Sequence, residues 1–145
     1  YIVMIVAGPN ARKDYHYNET EELFYQLEGN IEIHIQEDGK KRTMQLGPGD
    51  MYLHPAKVPH SPVREEGSIG LVIERKRADM NVDDGLLWFC DNCNHKLYEA
   101  YFTLHDIEKD FLSHFKHFYS SKELRTCNNC GTVMPVDERF IAKEE

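Results

Sequence analysis

Between Asn30 and Gln36 apolar and polar residues alternate strictly, with Ile31, Ile33 and Ile35 on one face and Glu32 and His34 on the other. A period of two marks a half-buried strand. Asp38-Gly39 then supplies the residues that favour a two-residue hairpin, and a second strand is expected from Arg42 to Leu46. Gly47-Pro48-Gly49-Asp50 turns the chain into Met51–His54, and after the loop from Pro55 to Pro59 another apolar run spans Ile69 to Ile73. The opening run from Tyr1 to Val6 reads as a strand that breaks at Gly8-Pro9. Short, closely spaced strands with Gly/Pro turns predict a sandwich or closed barrel with room inside for a small molecule.

The period changes in the last third of the chain. Ile107, Phe111, Phe115 and Phe118 recur at helical spacing behind Asp106, a residue suited to an N-cap. The expectation is a mostly β body over residues 1–86, with a small C-terminal helical extension over 87–145 packed on it as one compact unit.

Four cysteines change the picture most. They form two pairs, Cys90-Asp-Asn-Cys93 and Cys127-Asn-Asn-Cys130. A C-x-x-C turn brings both sulfurs to one side of a tight loop, and two such turns complete the tetrahedral thiolate set favoured by zinc or iron. Asn92, Asn94, Asn128, Asn129 and Gly131 are residues that tolerate the left-handed backbone such turns demand. The rival readings are two disulfides, disfavoured in a reducing compartment, and a redox dithiol, which needs no twin. A metal held by four thiolates has no open position, so this site stabilises and the chemistry lies elsewhere.

Charge narrows the partners. With a net charge of −8, the chain repels a phosphate backbone, and there is no helix-turn-helix pattern. Its densest basic run, Arg75-Lys76-Arg77, is expected to end a strand on the surface. No apolar run approaches the roughly 18 to 20 residues that cross a bilayer, and the apolar start lacks the basic leader of a signal peptide. A cytoplasmic protein with neither nucleic-acid nor membrane partners is expected. The chain opens in mid-strand without an initiator methionine, so further sequence is expected to precede it.

In the body, His16, Glu22 and His60 have metal-ligand chemistry. Two imidazoles and one carboxylate on one face of an iron leave the opposite face open for substrate and dioxygen. Taken singly each has a bland reading, as a surface group or core filler. His34, His54, His95, His105, His114 and His117 are left in that class.

The spacing itself resembles the cupin superfamily. The first cupin motif corresponds to His16, Asn18, Glu22 and Gly29, and the second to Gly49, Pro55-Ala56-Lys57 and His60. Two positions depart: Asn18 stands where the motif has a second His, and Lys57 where it has Gly. Within cupins the chain resembles the 3-hydroxyanthranilate 3,4-dioxygenase family in its two-metal form. The resemblance rests on the segments 8–16 (GPNARKDYH), 21–30 (EELFYQLEGN), His60-Ser61-Pro62, Leu71–Arg75 and Trp88–Cys93, with the Cys127 pair.

The resemblance implies a cupin β-barrel (jelly roll) carrying a rubredoxin-like four-cysteine extension. It implies Fe(II) on His16, Glu22 and His60, and a second iron or zinc on Cys90, Cys93, Cys127 and Cys130. By position, Arg12 and Arg64 match the arginines that engage substrate. Glu74 matches the acidic catalytic residue that hydrogen-bonds the ring substituents, and Val6, Phe24 and Pro62 the pocket lining. The implied reaction opens 3-hydroxyanthranilate with dioxygen, giving 2-amino-3-carboxymuconate semialdehyde, which leads to quinolinate and NAD. A homodimer is implied too, as is a preceding segment that adds pocket residues.

The assignments also make physical sense. A planar aromatic acid suits the bidentate fork of an arginine. Alternation after the run ending at Ile73 turns Glu74 inward, where a carboxylate needs a partner. Open alternatives are Arg64 pairing with Glu65 or Glu66 at the surface, and Trp88 and Phe89 lying either in an interface or under the cysteine knot. For the whole protein they are another metal-dependent cupin enzyme, differing at Arg12, Arg64 and Glu74, or a non-catalytic ligand sensor.

Overall fold

The computed structural model describes residues 1–141, so the last four residues of the 87–145 extension lie outside the described part. Strands β1 (Ile2–Ala7), β2 (Tyr15–Tyr17), β3 (Glu22–Glu28), β4 (Ile31–Glu37) and β5 (Lys40–Leu46) are followed by β6 (Met51–His54), β7 (His60–Arg64), β8 (Ile69–Glu74), β9 (Asp84–Phe89) and β10 (Lys96–Phe102). Helices α1 (Ile107–Ser120) and α2 (Lys122–Arg125) come last. Two antiparallel sheets result, ordered β1-β8-β3-β6 and β10-β9-β2-β7-β4-β5. Ile31, Ile33 and Ile35 of β4 pack with Phe24 of β3 and Val72 of β8, so the alternation seen in sequence becomes the core between the sheets.

Local chemistry sets the registers. Asp38 and Gly39 have φ of 53° and 71°, the two left-handed residues of a type I′ hairpin, and they pair Glu37 with Lys40. Lys57 has φ of 66°, so the backbone keeps the left-handed bend of the motif even though a lysine occupies it.

The extension does not begin as a separate unit. The 86/87 division falls inside β9, which pairs with β2 and so continues the six-stranded sheet. Helix α1 starts where Asp106 accepts a hydrogen bond from the Lys109 backbone N–H at 3.0 Å, a cap that contributes about 1 kcal/mol. Its apolar stripe covers Trp88, which is fully buried and stacks on Phe118 with ring centroids 4.4 Å apart. Trp88 is therefore packing between helix and sheet, not a surface residue awaiting a partner.

The outer face of the four-stranded sheet is apolar across its whole width. Register lines up Val3, Ile73, Leu23 and Leu53 in one row, and Ile5, Leu71, Tyr25 and Met51 in the next. Val3, Ile5, Met51 and Leu53 are more than half exposed.

Candidate metal centre

Cross-strand pairing builds the site. His16 on β2 is registered with His60 on β7, and Glu22 on β3 is registered with Glu74 on β8. Each sheet thus offers one pair to the interior, and the spacing of ligands along the chain becomes adjacency across strands. One ligand atom from each of His16, Glu22 and His60 lies within 4.8 Å of the others. Glu22 Oε2 and His60 Nε2 face each other at 3.0 Å. Yet Glu22 Oε2 and His60 Nδ1 are both buried without a hydrogen-bond partner. Burial pushes the Glu22 carboxyl up, but the imidazoles of His60, His16 and His54 outweigh it and hold it at about 2. An ionised, unpartnered carboxylate oxygen among imidazoles is a donor set that a divalent cation completes.

The surrounding pocket has a volume of about 150 Å³ and is lined by Val6, Arg12, Phe24, Pro62, Arg64 and Glu74 besides the triad. The six residues that the resemblance places on the substrate side therefore line one cavity. Their environments differ. Arg12 is partly exposed, its Nε 3.2 Å from Asp14, with its guanidinium 5.1 Å from the centre of the Phe115 ring. Arg64 is 3 % exposed, and among the described residues its one side-chain hydrogen bond goes to Gln26 Oε1 at 3.4 Å. Neither Glu65 nor Glu66 pairs with it, because Arg64 lies in β7 and points inward with His60, not in a surface loop. Gly70 makes room for it: a Cβ there would sit 2.7 Å from Arg64 Nη1. Burial lowers the guanidinium's proton affinity, and the Glu22 charge partly restores it.

Glu74 is held on one oxygen. Its Oε2 accepts from Asn18 Nδ2 at 3.1 Å and from Arg77 Nη1 at 3.1 Å. Burial, with the nearby Glu22 charge, pushes this carboxyl up despite Arg77. Asn18, which departs from the motif, is thus no ligand. Its Oδ1 is fixed by the Thr20 backbone N–H and hydroxyl, each at 2.8 Å, and its amide orients Glu74.

The basic run at 75–77 corrects the surface expectation. Arg75 and Lys76 are exposed, but Arg77 is 3 % exposed, because two buried carboxylates, Glu74 and Asp84, require a cation between them. Sequence reading also missed Leu104, Ile107 and Phe111, which close the pocket from the C-terminal side. The Phe111 ring stands edge-on to His16 at 5.3 Å. The helical stripe was the available signal, but it carried no sign of what it would cover. Among the histidines left aside, none joins the triad. His54 is buried with both nitrogens engaged, by Tyr52 Oη at 3.2 Å and Val58 O at 2.7 Å.

The cysteines form a second centre. All four are free thiols, with Cys90 Sγ to Cys130 Sγ and Cys93 Sγ to Cys127 Sγ both at 3.6 Å. That is far beyond a disulfide bond of about 2.05 Å. It is close to the sulfur–sulfur edge of roughly 3.8 Å expected for a tetrahedron with metal–sulfur bonds of about 2.3 Å. The two turns repeat each other. Asn94 N–H donates to Cys90 O and Gly131 N–H to Cys127 O, both at 2.9 Å. Left-handed backbone occurs at one position in each turn, Asn94 (φ 60°) and Gly131 (φ 77°), and not at Asn92, Asn128 or Asn129. A single reversal just after the second cysteine suffices to aim both sulfurs inward.

Cys93→Ser is expected to remove one metal equivalent and loosen residues 127–134 by a few kcal/mol of local stability, with the triad still able to take a metal. Metal analysis combined with hydrogen exchange over that segment checks this. Unchanged exchange would mean that packing on α1, not the metal, holds the segment.

A family model described as 3-hydroxyanthranilic acid dioxygenase matches residues 1–119. A 3-hydroxyanthranilate 3,4-dioxygenase of Xanthomonas campestris pv. campestris (strain 8004) is 56 % identical over 144 residues, covering 99 % of this chain and 81 % of the relative. One of Bacillus thuringiensis (strain Al Hakam) is 44 % identical over 138 residues, covering 94 % of this chain and 76 % of the relative. Among solved structures, a cupin-2 domain containing protein from Shewanella frigidimarina aligns at 26 % identity with a TM-score of 0.39, covering 50 % of this chain and 67 % of that one.

Proposed function

The chain belongs to the 3-hydroxyanthranilic acid dioxygenase family, and from that premise we infer that it opens the ring of 3-hydroxyanthranilate with dioxygen at an iron(II) held by His16, Glu22 and His60. The observation that carries the substrate side is Arg64. A buried guanidinium with no carboxylate in ion-pair distance among the described residues is unstable by itself, and a carboxylate ligand completes it.

In this reading Arg64 binds the substrate carboxylate, and Arg12, held by Asp14, approaches from the pocket rim. Glu74 Oε2 is already occupied, so Oε1 takes the proton of the substrate hydroxyl. Its raised proton affinity improves it as a base. Val6, Phe24 and Pro62, with Phe111, keep water from the ring. Iron(II), when bound, supplies the centre at which the substrate hydroxyl, its neighbouring amino group and dioxygen meet. The bond between ring carbons 3 and 4 breaks, carbon 3 becoming a carboxylate and carbon 4 an aldehyde, each with one oxygen atom of dioxygen. The substrate supplies all the electrons, so no reductant is needed. The product, 2-amino-3-carboxymuconate semialdehyde, closes without the enzyme to quinolinate, a precursor of NAD.

The four-cysteine centre holds iron or zinc and fastens α1 and the second cysteine turn to the sheet. Cysteines that form no disulfide fit a reducing cytoplasm. The two apolar rows on the outer face of β1, β8, β3 and β6 support a homodimer packed through that face. Net charge of −8 counts against nucleic acid, and no helix among the described residues is long and apolar enough to cross a membrane.

Turnover tests the reading directly. The full-length protein, loaded with Fe(II) without oxygen and then given 3-hydroxyanthranilate and dioxygen, is expected to form the semialdehyde, followed by its absorbance. Tight binding of the substrate without turnover would instead favour a ligand sensor.

A further inference from the structure

Behind the pocket runs a chain of buried charges in which two residues the reaction above does not use, Asp84 and Arg77, lie between two that it does. His16 Nε2–H donates to Asp84 Oδ2 at 2.6 Å. Asp84 is fully buried and accepts a bidentate pair from Arg77, Nε to Oδ1 at 2.8 Å and Nη2 to Oδ2 at 2.7 Å. Arg77 Nη1 then donates to Glu74 Oε2 at 3.1 Å and to the Arg75 carbonyl at 2.8 Å. One guanidinium therefore ties the group behind a ligand histidine to the carboxylate on the substrate side. We propose that Asp84 and Arg77 are positioning residues that couple the metal ligand His16 to Glu74, so that one rigid unit fixes both the metal-binding nitrogen and the base. The proposal rests on His16, Glu22 and His60 being the metal site.

Each contact has a defined consequence. Asp84 keeps the His16 proton on Nε2, which leaves the lone pair of Nδ1 for a metal and fixes the ring plane. Arg77 is the cation that permits two carboxylates, Asp84 and Glu74, to stay buried near each other. By occupying Glu74 Oε2 together with Asn18, it leaves Oε1 as the free oxygen. Arg77 follows Glu74 by only three residues, and its side chain reaches back to the last residue of β8.

A purely structural ion pair and a positioning pair respond differently to substitution. Replacing both partners by apolar residues strands neither of the two, a change that is often neutral for stability, although Glu74 then loses its cation and keeps only the Asn18 amide at 3.1 Å. Arg77→Met with Asp84→Leu is therefore expected to lower the thermal midpoint by only a few degrees, from the unpaired Glu74, and to leave the protein folded. It is expected to weaken metal affinity at the triad about 10- to 100-fold, the loss typical when the partner of a ligand histidine is removed. The near-isosteric Asp84→Asn is expected to act in the same direction. Full-length protein with zinc already in the four-cysteine site is titrated with Co(II), whose weak ligand-field bands at a histidine–carboxylate site differ from intense thiolate bands. The iron-loaded variants are then assayed, with kcat expected to fall at least 10-fold more than KM changes. Parent-like Co(II) affinity in a folded variant, or an equal fall in stability and affinity, would overturn the proposal. If the parent protein itself bound no Co(II) at the triad, the metal reading of that site would fail, and this inference with it.

Discussion

His60→Ala is expected to lower turnover by about 10³-fold or more while leaving the sheets folded, because a metal centre contributes several kcal/mol of transition-state stabilisation that no other group here replaces. His60 lies at the start of β7, 1 % exposed, with His16, Phe24 and His54 rings 5.5, 5.7 and 4.3 Å away. The substitution leaves a cavity lined by those rings and costs roughly 2 to 4 kcal/mol of stability. It also leaves Glu22 buried without the imidazole that does most to hold its carboxyl ionised against burial. Metal content is expected to fall from two equivalents to one, with the four-cysteine centre still filled. Anaerobic metal analysis and steady-state turnover on the folded variant decide the matter. Activity within 10-fold of the parent would remove His60 from the ligand set.

The His16–Glu22–His60 group was legible because strand pairing converts short sequence spacings into contacts. His16 and Glu22 are close in the chain, and His60 falls opposite His16 once β2 and β7 pair. The cysteine pairs were legible for a similar reason, since each turn is local and their doubling allows few alternatives. What sequence could not supply was the far side of each buried charge. Arg77 looked like part of a solvated basic run, because nothing in its own neighbourhood says that Asp84 will lie beneath it. Asn18 looked like a lost ligand, and only the hydrogen bond from its amide to Glu74, a residue far along the chain, shows what it holds. The 86/87 boundary fell inside β9 for a related reason. A change of period marks where a helix begins, but not how far the preceding sheet continues. Phe111 was read as part of the apolar stripe of a helix and lies in the core, yet it also closes the pocket, a role that depends on where the helix docks.

Arg64→Met is expected to move activity and stability in opposite directions. The parent residue is a cation 3 % exposed whose one side-chain hydrogen bond among the described residues, to Gln26 Oε1, is long at 3.4 Å. Burying a charge with so little compensation destabilises the fold. Met fills much of the same volume, and Gln26 keeps the partners it has through Nε2 in the Glu28 and Gly29 carbonyls at 2.7 and 3.1 Å. The thermal midpoint is therefore expected to rise by several degrees, corresponding to about 1 to 2 kcal/mol. The same change removes the counter-charge for a substrate carboxylate. Loss of a desolvated charge pair costs about 3 to 4 kcal/mol, so kcat/KM is expected to fall on the order of 10²- to 10³-fold. Arg64→Lys retains the charge but not the fork, and its expected loss is intermediate. The test is a melt and a kinetic assay on the same preparations. If the Met variant lost stability along with activity, Arg64 would have to be an internal structural cation whose anionic partner is a protein group. If it gained stability and kept kcat/KM, the carboxylate would bind elsewhere, with Arg12 the remaining guanidinium on the pocket wall. Only a gain in stability coupled to a loss of kcat/KM fits a cation kept ready, at the fold's expense, for an anion that arrives with the substrate.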